Sequence, residues 1–339
     1  MAVAEIPSKH TDPVLVRKER SLFQESMHRL LKNRAATISL IFIVILMFVA
    51  FILAPLTNVF QDPIQQDLSA NNAVPEWMMF LMPEGAENYV TINNDYFLGA
   101  DHLGRDILSR VMHGARVSLS VAIVASTVSL VLGTVYGLVS GFAGGSVDGV
   151  MMRIVDFIYG FPFLIVVILL QSFLKAQARQ GATNGFMNAI IQINDTMGGL
   201  FFLFIAIGLV NWIGMARIAR GQVLSQKKKE YVEAATSIGA TDTRVMSRHI
   251  LPNILGPLIV AETLAIPGYI ATEAFLSFIG LGVDPPTPSW GIMISEAARG
   301  IRSFPNQVLV PAVMLSVTTL AFNFLGDGLR DALDPKMGE

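Results

Sequence analysis

The amino-acid sequence predicts an all-α, polytopic membrane protein with six transmembrane helices, and three observations carry that prediction. Of 339 residues, 53% are hydrophobic and only 15% are charged, whereas soluble domains carry about 25% charged residues. The mean hydropathy is +0.55. The apolar residues also gather into six runs long enough for a bilayer, which needs about 20 residues per span. Cysteine is absent, which excludes disulfides, thiolate catalysis and cysteine metal sites.

Residues 1–35 form a polar tail with seven Lys/Arg. Leu15, Leu22, Phe23, Met27, Leu30 and Leu31 recur there at roughly helical spacing. A basic amphipathic helix lying on an anionic leaflet gives this pattern; a loosely ordered basic tail gives it equally well. The tail runs into an apolar stretch longer than a signal-peptide core, which reads as a retained anchor. The first span is expected at 36–56, 21 residues without a charge. An outer segment over 57–113 follows, too long to be a mere connector. Its stretch 74–82 is apolar but too short to cross, and reads as an interfacial helix or part of a lid. Stretch 185–193 has the same character.

The remaining spans are expected at 117–147, with its glycine-rich end outside the helix, and at 157–174, 196–216, 250–282 and 306–326. Residues 114–335 would thus form a five-helix core, with a cytoplasmic loop at 217–252 and a short tail at 336–339. Lys and Arg orient the spans. Seventeen lie in the N-terminal tail, the second-to-third connection, the 217–248 loop and the C-terminal tail, against seven in the alternate set. That split predicts cytoplasmic termini.

Gly133, Gly137, Gly141 and Gly145 recur every four residues, with Ala125 and Ser129 extending the row. Small residues on one face allow close helix–helix contact. Glu262 and Glu273 are 11 residues apart, about three turns, and so share one face of the fifth span. Charges at such depth face a bundle interior or a watery cavity, which makes both glutamates candidates for a translocation path. A hydrogen bond to a neighbouring helix would also account for them. Pro267 and Gly268 between them offer a kink.

Other constellations fail. His102, Asp106 and Ser109 sit on one loop without a nucleophile elbow, and His102 and His113 lack metal-pair spacing. The dipeptide Gly-Lys never occurs, so there is no phosphate loop for ATP. Lys227 to Lys229 adjoin a membrane face, where lipid headgroups explain them better than nucleic acid. No metal or other cofactor is expected in this chain.

One polar stretch interrupts the spans: Glu230-Tyr231-Val-Glu233-Ala234-Ala235-Thr-Ser-Ile-Gly239, continuing to Arg248-His-Ile-Leu251-Pro252. Residues 230–238 suit a short helix, Gly239 supplies its break, and Thr241 or Asp242 can cap a second turn. Pro252 is tolerated at the start of the next span. The spacing Glu233-Ala234-Ala235, three residues, Gly239, then Leu251-Pro252 resembles the cytoplasmic coupling loop of ABC-importer permeases. His249 stands where that pattern has isoleucine.

Further stretches narrow the resemblance to the oligopeptide/dipeptide permease group. These are Leu98-Gly-Ala-Asp-His-Leu-Gly-Arg-Asp106 with Ser109-Arg110 and Gly114-Ala-Arg-Val-Ser118, Phe275-Leu-Ser-Phe-Ile-Gly-Leu-Gly282 with Pro285-Pro-Thr-Pro-Ser-Trp-Gly291, and Phe322-Asn-Phe-Leu-Gly-Asp-Gly-Leu-Arg-Asp-Ala-Leu-Asp-Pro335. From the residues alone, Gly104-Arg105-Asp106 reads as a turn with an ion pair that anchors the outer segment. Residues 285–290 read as a rigid turn with an interfacial Trp290.

The resemblance implies a type I ABC-importer permease fold in a bacterial or archaeal plasma membrane. It implies a non-catalytic subunit forming half of a peptide pathway with a second, related permease. It further implies two cytoplasmic ATPases, which would bind ATP and magnesium, and an extracytoplasmic solute-binding protein. Nickel chelates or oligosaccharides are alternative substrates within the same group. A proton-coupled secondary transporter using Glu262 or Glu273, and a membrane enzyme, are the rivals from other classes.

Overall fold

A computed structural model describes residues 22–56, 59–180 and 185–333. Leu15 and the 336–339 tail lie outside these residues. Among the described residues the chain is helical without strands, and six helices are long and apolar enough to cross a membrane.

Helix α1 (Leu22–Lys32) is followed directly by α2 (Arg34–Phe48), which widens into a π turn at Val49–Leu53. Asn33 separates them, its side-chain oxygen accepting the Ala36 N–H at 3.3 Å as an N-cap. Ala36, Ile43, Leu46 and Ala50 bury one side of the first span, while Ile38, Ile41, Ile45, Phe48 and Ile52 stay exposed. In α1, Leu30 is buried and Leu31 exposed.

Helix α3 (Ile107–Ala143) is the axis of the molecule. It starts at Ile107, ahead of the 114 expected for the core, because Arg110 has its charge matched and is carried inside the helix. It ends at Ala143 with Gly144, whose φ is +68°, as its C-cap, so Gly133, Gly137 and Gly141 lie within it and Gly144 and Gly145 lie beyond its end. A stripe of Ile107, Val111, Ala115, Leu119 and Ala122 packs with the first and last spans. The adjoining stripe of Val117, Val121 and Ala125 packs with the fourth and fifth.

Helix α4 (Gly145–Tyr159) takes up residues assigned from sequence to a connection and to the next span. The third span, α5, therefore runs over Phe163–Gln180, displaced from 157–174. Then come α6 (Gly185–Thr196), α7 (Leu200–Gln226) and α8 (Glu230–Ser237). The fifth span is one rod over Asp242–Phe278, composed of α9 (Asp242–Arg244), a π turn at Val245–Ile250 and α10 (Leu251–Phe278). Pro257 and Pro267 lie inside α10 without ending it. Helices α11 (Trp290–Ala297) and α12 (Pro305–Leu333) close the fold. The stretch 74–82 is a 3₁₀ turn at Glu76–Leu81 rather than an α-helix.

The bundle has two distinct ends. At one, a Cβ on Gly328 of α12 would meet Ala36 and Leu30, and the α7–α8–α9 segment lies at this end too. At the other, Asn306 Nδ2 donates to the Leu98 carbonyl at 3.3 Å and Gln307 Nε2 to Asn72 Oδ1 at 2.8 Å, joining α12 to the 59–106 segment. Trp290 is fully buried here, not interfacial: its indole N–H donates to the Val111 carbonyl at 3.1 Å.

Candidate functional site

The polar stretch at 230–252 folds as a short knob keyed into the bundle. Val232 and Ala235, three apart and so on one face of α8, are buried against Met215, Ala219 and Val223 of α7 and against Val245, Ile250, Ile254 and Leu258. The opposite face, Glu230, Tyr231, Glu233 and Ala234, is exposed. The two alanines therefore part: Ala234 is free for an incoming partner, whereas Ala235 already fills the chain's own core.

Helix α8 ends in a Schellman motif. The Ala240 N–H donates to the Ala235 carbonyl and the Gly239 N–H to the Thr236 carbonyl, both at 3.0 Å. Gly239 has φ +84° with open space around its Cα, so its backbone conformation, not crowding, calls for glycine. Ala240 packs into the same apolar cluster as Ala235, as the motif favours. Thr241 occupies the next N-cap position with extended backbone but makes no side-chain cap bond. Leu251 packs against the cluster, and Pro252 falls in the first turn of α10. The entry to α8 is tied down as well: Tyr231 OH donates to Gln226 Oε1 at 2.8 Å.

Ile238, next to the Gly239 turn, is 87% exposed, the highest value for a large apolar side chain among the described residues. It was not singled out from sequence. The signal was an isoleucine off the Val232–Ala235 face, at a place where the chain must turn into solvent.

Behind the knob, α3 and α7 meet at backbone distance. A Cβ on Gly133 would lie 2.5 Å from Met215 Cβ, on Gly137 2.4 Å from the Ala216 carbonyl oxygen, and on Gly141 3.0 Å from that of Arg220. Gly145 has nothing within 4 Å, so the close row stops at Gly141. Helix α4 is strapped to α7 by two ion pairs. Arg220 makes a two-pronged pair with Asp148, and its guanidinium holds that carboxyl below the usual range, assisted by the Ser140 hydroxyl against a smaller effect of burial. Arg217 reaches Asp156 at 2.6 Å and lies 4.2 Å over the Tyr159 ring.

Glu262 and Glu273 project between α10 and α3. Glu262 accepts from Tyr269 OH at 2.7 Å and from Ser129 Oγ at 3.1 Å. Glu273 is fully buried and accepts from Ser118 Oγ and Ser277 Oγ, both at 2.7 Å. In this conformation both carboxyl groups sit in the helix–helix contact, so a path along them would require α3 and α10 to part.

At the far end, Asp101 pairs with Arg105 at 2.7 Å and with Arg110, and Glu296 of α11 pairs with Arg105 at 2.8 Å and Arg110 at 2.9 Å. Burial pushes the Asp101 carboxyl up, but Arg110 and Arg105, with backbone N–H donors, more than offset it and hold it low. Asp106 caps α3 by accepting the Ser109 N–H at 2.8 Å. The turn and ion pair read at 104–106 thus belong to a four-residue charge cluster joining the 59–106 segment, α3 and α11.

Comparison with known proteins places this geometry. A family described as binding-protein-dependent transport system inner membrane component matches residues 133–339. A second, the N-terminal transmembrane domain of oligopeptide transport permease C, matches residues 21–75. The chain is 41% identical to the oligopeptide transport system permease protein OppC of Escherichia coli K12, over 94% of this chain and 92% of that protein. It is 37% identical to the dipeptide transport system permease protein DppC of Bacillus subtilis, over 95% and 88% respectively. Among solved structures, an inward-facing form of the MetNI methionine ABC transporter superposes with a TM-score of 0.50 at 17% identity, over 67% of this chain and 98% of that one. That likeness confirms the ABC-importer permease fold.

Proposed function

Because the chain belongs to the inner-membrane components of binding-protein-dependent transport systems, we propose that it forms half of an ATP-driven import pathway for peptides and receives the drive through α8. Peptides are favoured by the names of the relatives, oligopeptide and dipeptide permeases. The other half of the pathway would be a second, related permease. Two ATPase subunits holding ATP and magnesium would sit beneath the α8 end, and a solute-binding protein would deliver cargo at the end carrying the 59–106 segment. This chain itself would be non-catalytic. The Lys/Arg distribution supports a cytoplasmic α8 end and cytoplasmic termini.

The observation that carries the reading is the two-faced α8. One face, Val232 and Ala235, is locked to α7 and α10; the other offers Glu230, Tyr231, Glu233, Ala234 and Ile238 to a partner. A push on the exposed face reaches two spans through packed side chains, because interiors are close-packed and transmit strain. Gly239 makes the turn that ends the knob, and Leu251 and Pro252 carry the chain into the first turn of α10. In vesicles containing the whole importer, Glu233→Arg is expected to abolish ATP-driven peptide uptake while the chain still inserts and folds. Normal uptake by that variant would sink the coupling role. A pathway role for Glu262 and Glu273 is tested in the same vesicles, since normal transport by both Glu→Ala variants would exclude it.

A further inference from the structure

Arg116 differs from the ion-paired arginines of the bundle, and what distinguishes it from the remaining described arginines is that it lines a cavity. Arg105, Arg110, Arg217 and Arg220 each hold a carboxylate. Arg116 is exposed and has no hydrogen bond or ion pair among the described residues; it lies about 14 Å from the start of α3, a 37-residue helix that at ~1.5 Å per residue overhangs a ~30 Å hydrocarbon core, which places it near the edge of the span. Such a cation calls for water or an anionic partner. It lines a cavity of about 560 Å³ between α2, α3, the 196–200 turn and the 287–288 turn, within the ~300–1,000 Å³ range of small-molecule sites.

The chemistry of this cavity is one-sided. His113, one turn before Arg116, donates from Nδ1 to the Ser109 carbonyl at 2.9 Å; its Nε2 is then an acceptor in the neutral ring, so the cavity's attraction for an anion is carried by Arg116. Ser120, Thr196 and Thr287 add hydroxyls, and among the described residues no acidic side chain lines the space. Phe51, Val117 and Phe204 supply an apolar bed.

We propose that this cavity binds the C-terminal carboxylate of the transported peptide, with Arg116 as the pairing cation and the apolar bed taking the adjoining side chain. A guanidinium matches a carboxylate through two parallel N–H donors. A space of about 560 Å³ with Pro63, Thr287 and Pro288 in its lining suits a compact solute better than a lipid with two long tails. The assignment rests on the peptide-import reading and gives it a contact in this chain.

The chain has no cysteine, so Arg116→Cys creates its one thiol and permits the charge to be removed and restored. In vesicles holding the complete importer, this variant is expected to lower uptake of a free tripeptide about tenfold or more, the scale of one charge-assisted bond. An ethylammonium methanethiosulfonate, which returns a positive charge, should recover most of that loss; the sulfonatoethyl reagent should not. The free tripeptide should also slow modification of the thiol, while its C-terminal amide should not.

Undiminished uptake in Arg116→Cys, equal recovery with both reagents, or equal protection by acid and amide would each overturn the proposal. So would a modification rate that follows the anionic phospholipid content and ignores peptide, which would make the occupant a lipid headgroup. Failure of the unmodified importer to take up any peptide would instead sink the peptide reading itself.

Discussion

At Gly137 a single methyl group would lie 2.4 Å from the Ala216 carbonyl oxygen and 2.6 Å from Ala219 Cβ. Both obstacles belong to the facing helix, so α3 and α7 must separate to admit a side chain. Gly137→Leu is therefore expected to lower the melting temperature of the detergent-purified protein sharply, whereas Gly149→Ala, inside α4 with open space around it, should leave it unchanged or raise it slightly; a comparable fall in both would refute the close-contact account. The buried charge cluster gives a second residue-level expectation. Removing Asp101 leaves two buried guanidinium groups sharing Glu296 alone, and breaking a buried pair costs up to about 3–5 kcal/mol, so Asp101→Asn should be destabilising near neutral pH. Asp101 is held below its ordinary value of 3.8. A depressed carboxyl contributes its full stabilisation above the unfolded value and loses it as pH falls through the folded one. The stability gap between the native protein and Asp101→Asn should thus be flat from about pH 8 to about pH 5 and shrink below about pH 4. A gap that widened in acid would contradict the assignment.

At the scale of elements, the carboxyl groups of α10 act as braces. Glu273 joins Ser118 of α3 to Ser277 of its own helix with no water-facing surface. Glu273→Gln keeps an acceptor and hydroxyl partners that can turn, while Glu273→Ala leaves two buried hydroxyls without theirs. An unmet buried polar group costs about 1–3 kcal/mol, so alanine should lower the melting temperature well beyond glutamine. Parity of the two variants would remove the brace. The six spans and the α8 knob were legible in the sequence because charge-free length and the Glu-Ala-Ala…Gly spacing are local signals. The start of α3 was hidden, because Arg110 looks like a loop residue until Asp101 and Glu296 are known to match it. The shift of α5 was hidden too, since Phe157 and Tyr159 are apolar enough for a span yet belong to α4, where Arg217 and Arg220 hold that helix on α7. Trp290 misled for a related reason: its buried N–H depends on Val111, 179 residues away, and no local pattern reports that partner.

For the whole molecule, the two ends of the bundle are chemically distinct and should face different compartments. The α8 end gathers the described start of the chain, the end of α12 and the knob with Ile238 at its tip; the other end carries the 59–106 segment and the charge cluster. The absence of cysteine makes the orientation directly measurable, because one introduced thiol reports one position in this chain. With Asp95→Cys, in the exposed 91–95 stretch, a membrane-impermeant maleimide should label intact cells. With Ile238→Cys it should label only after permeabilisation. If the exposed face of α8 is where the ATPase docks, co-expression of the ATPases should slow labelling of Ile238→Cys in permeabilised cells and leave Asp95→Cys unaffected. Labelling of Ile238→Cys from outside would invert the orientation and remove α8 from reach of cytoplasmic ATP. Labelling from inside at a rate indifferent to the ATPases would keep the orientation and place the docking surface elsewhere on that end.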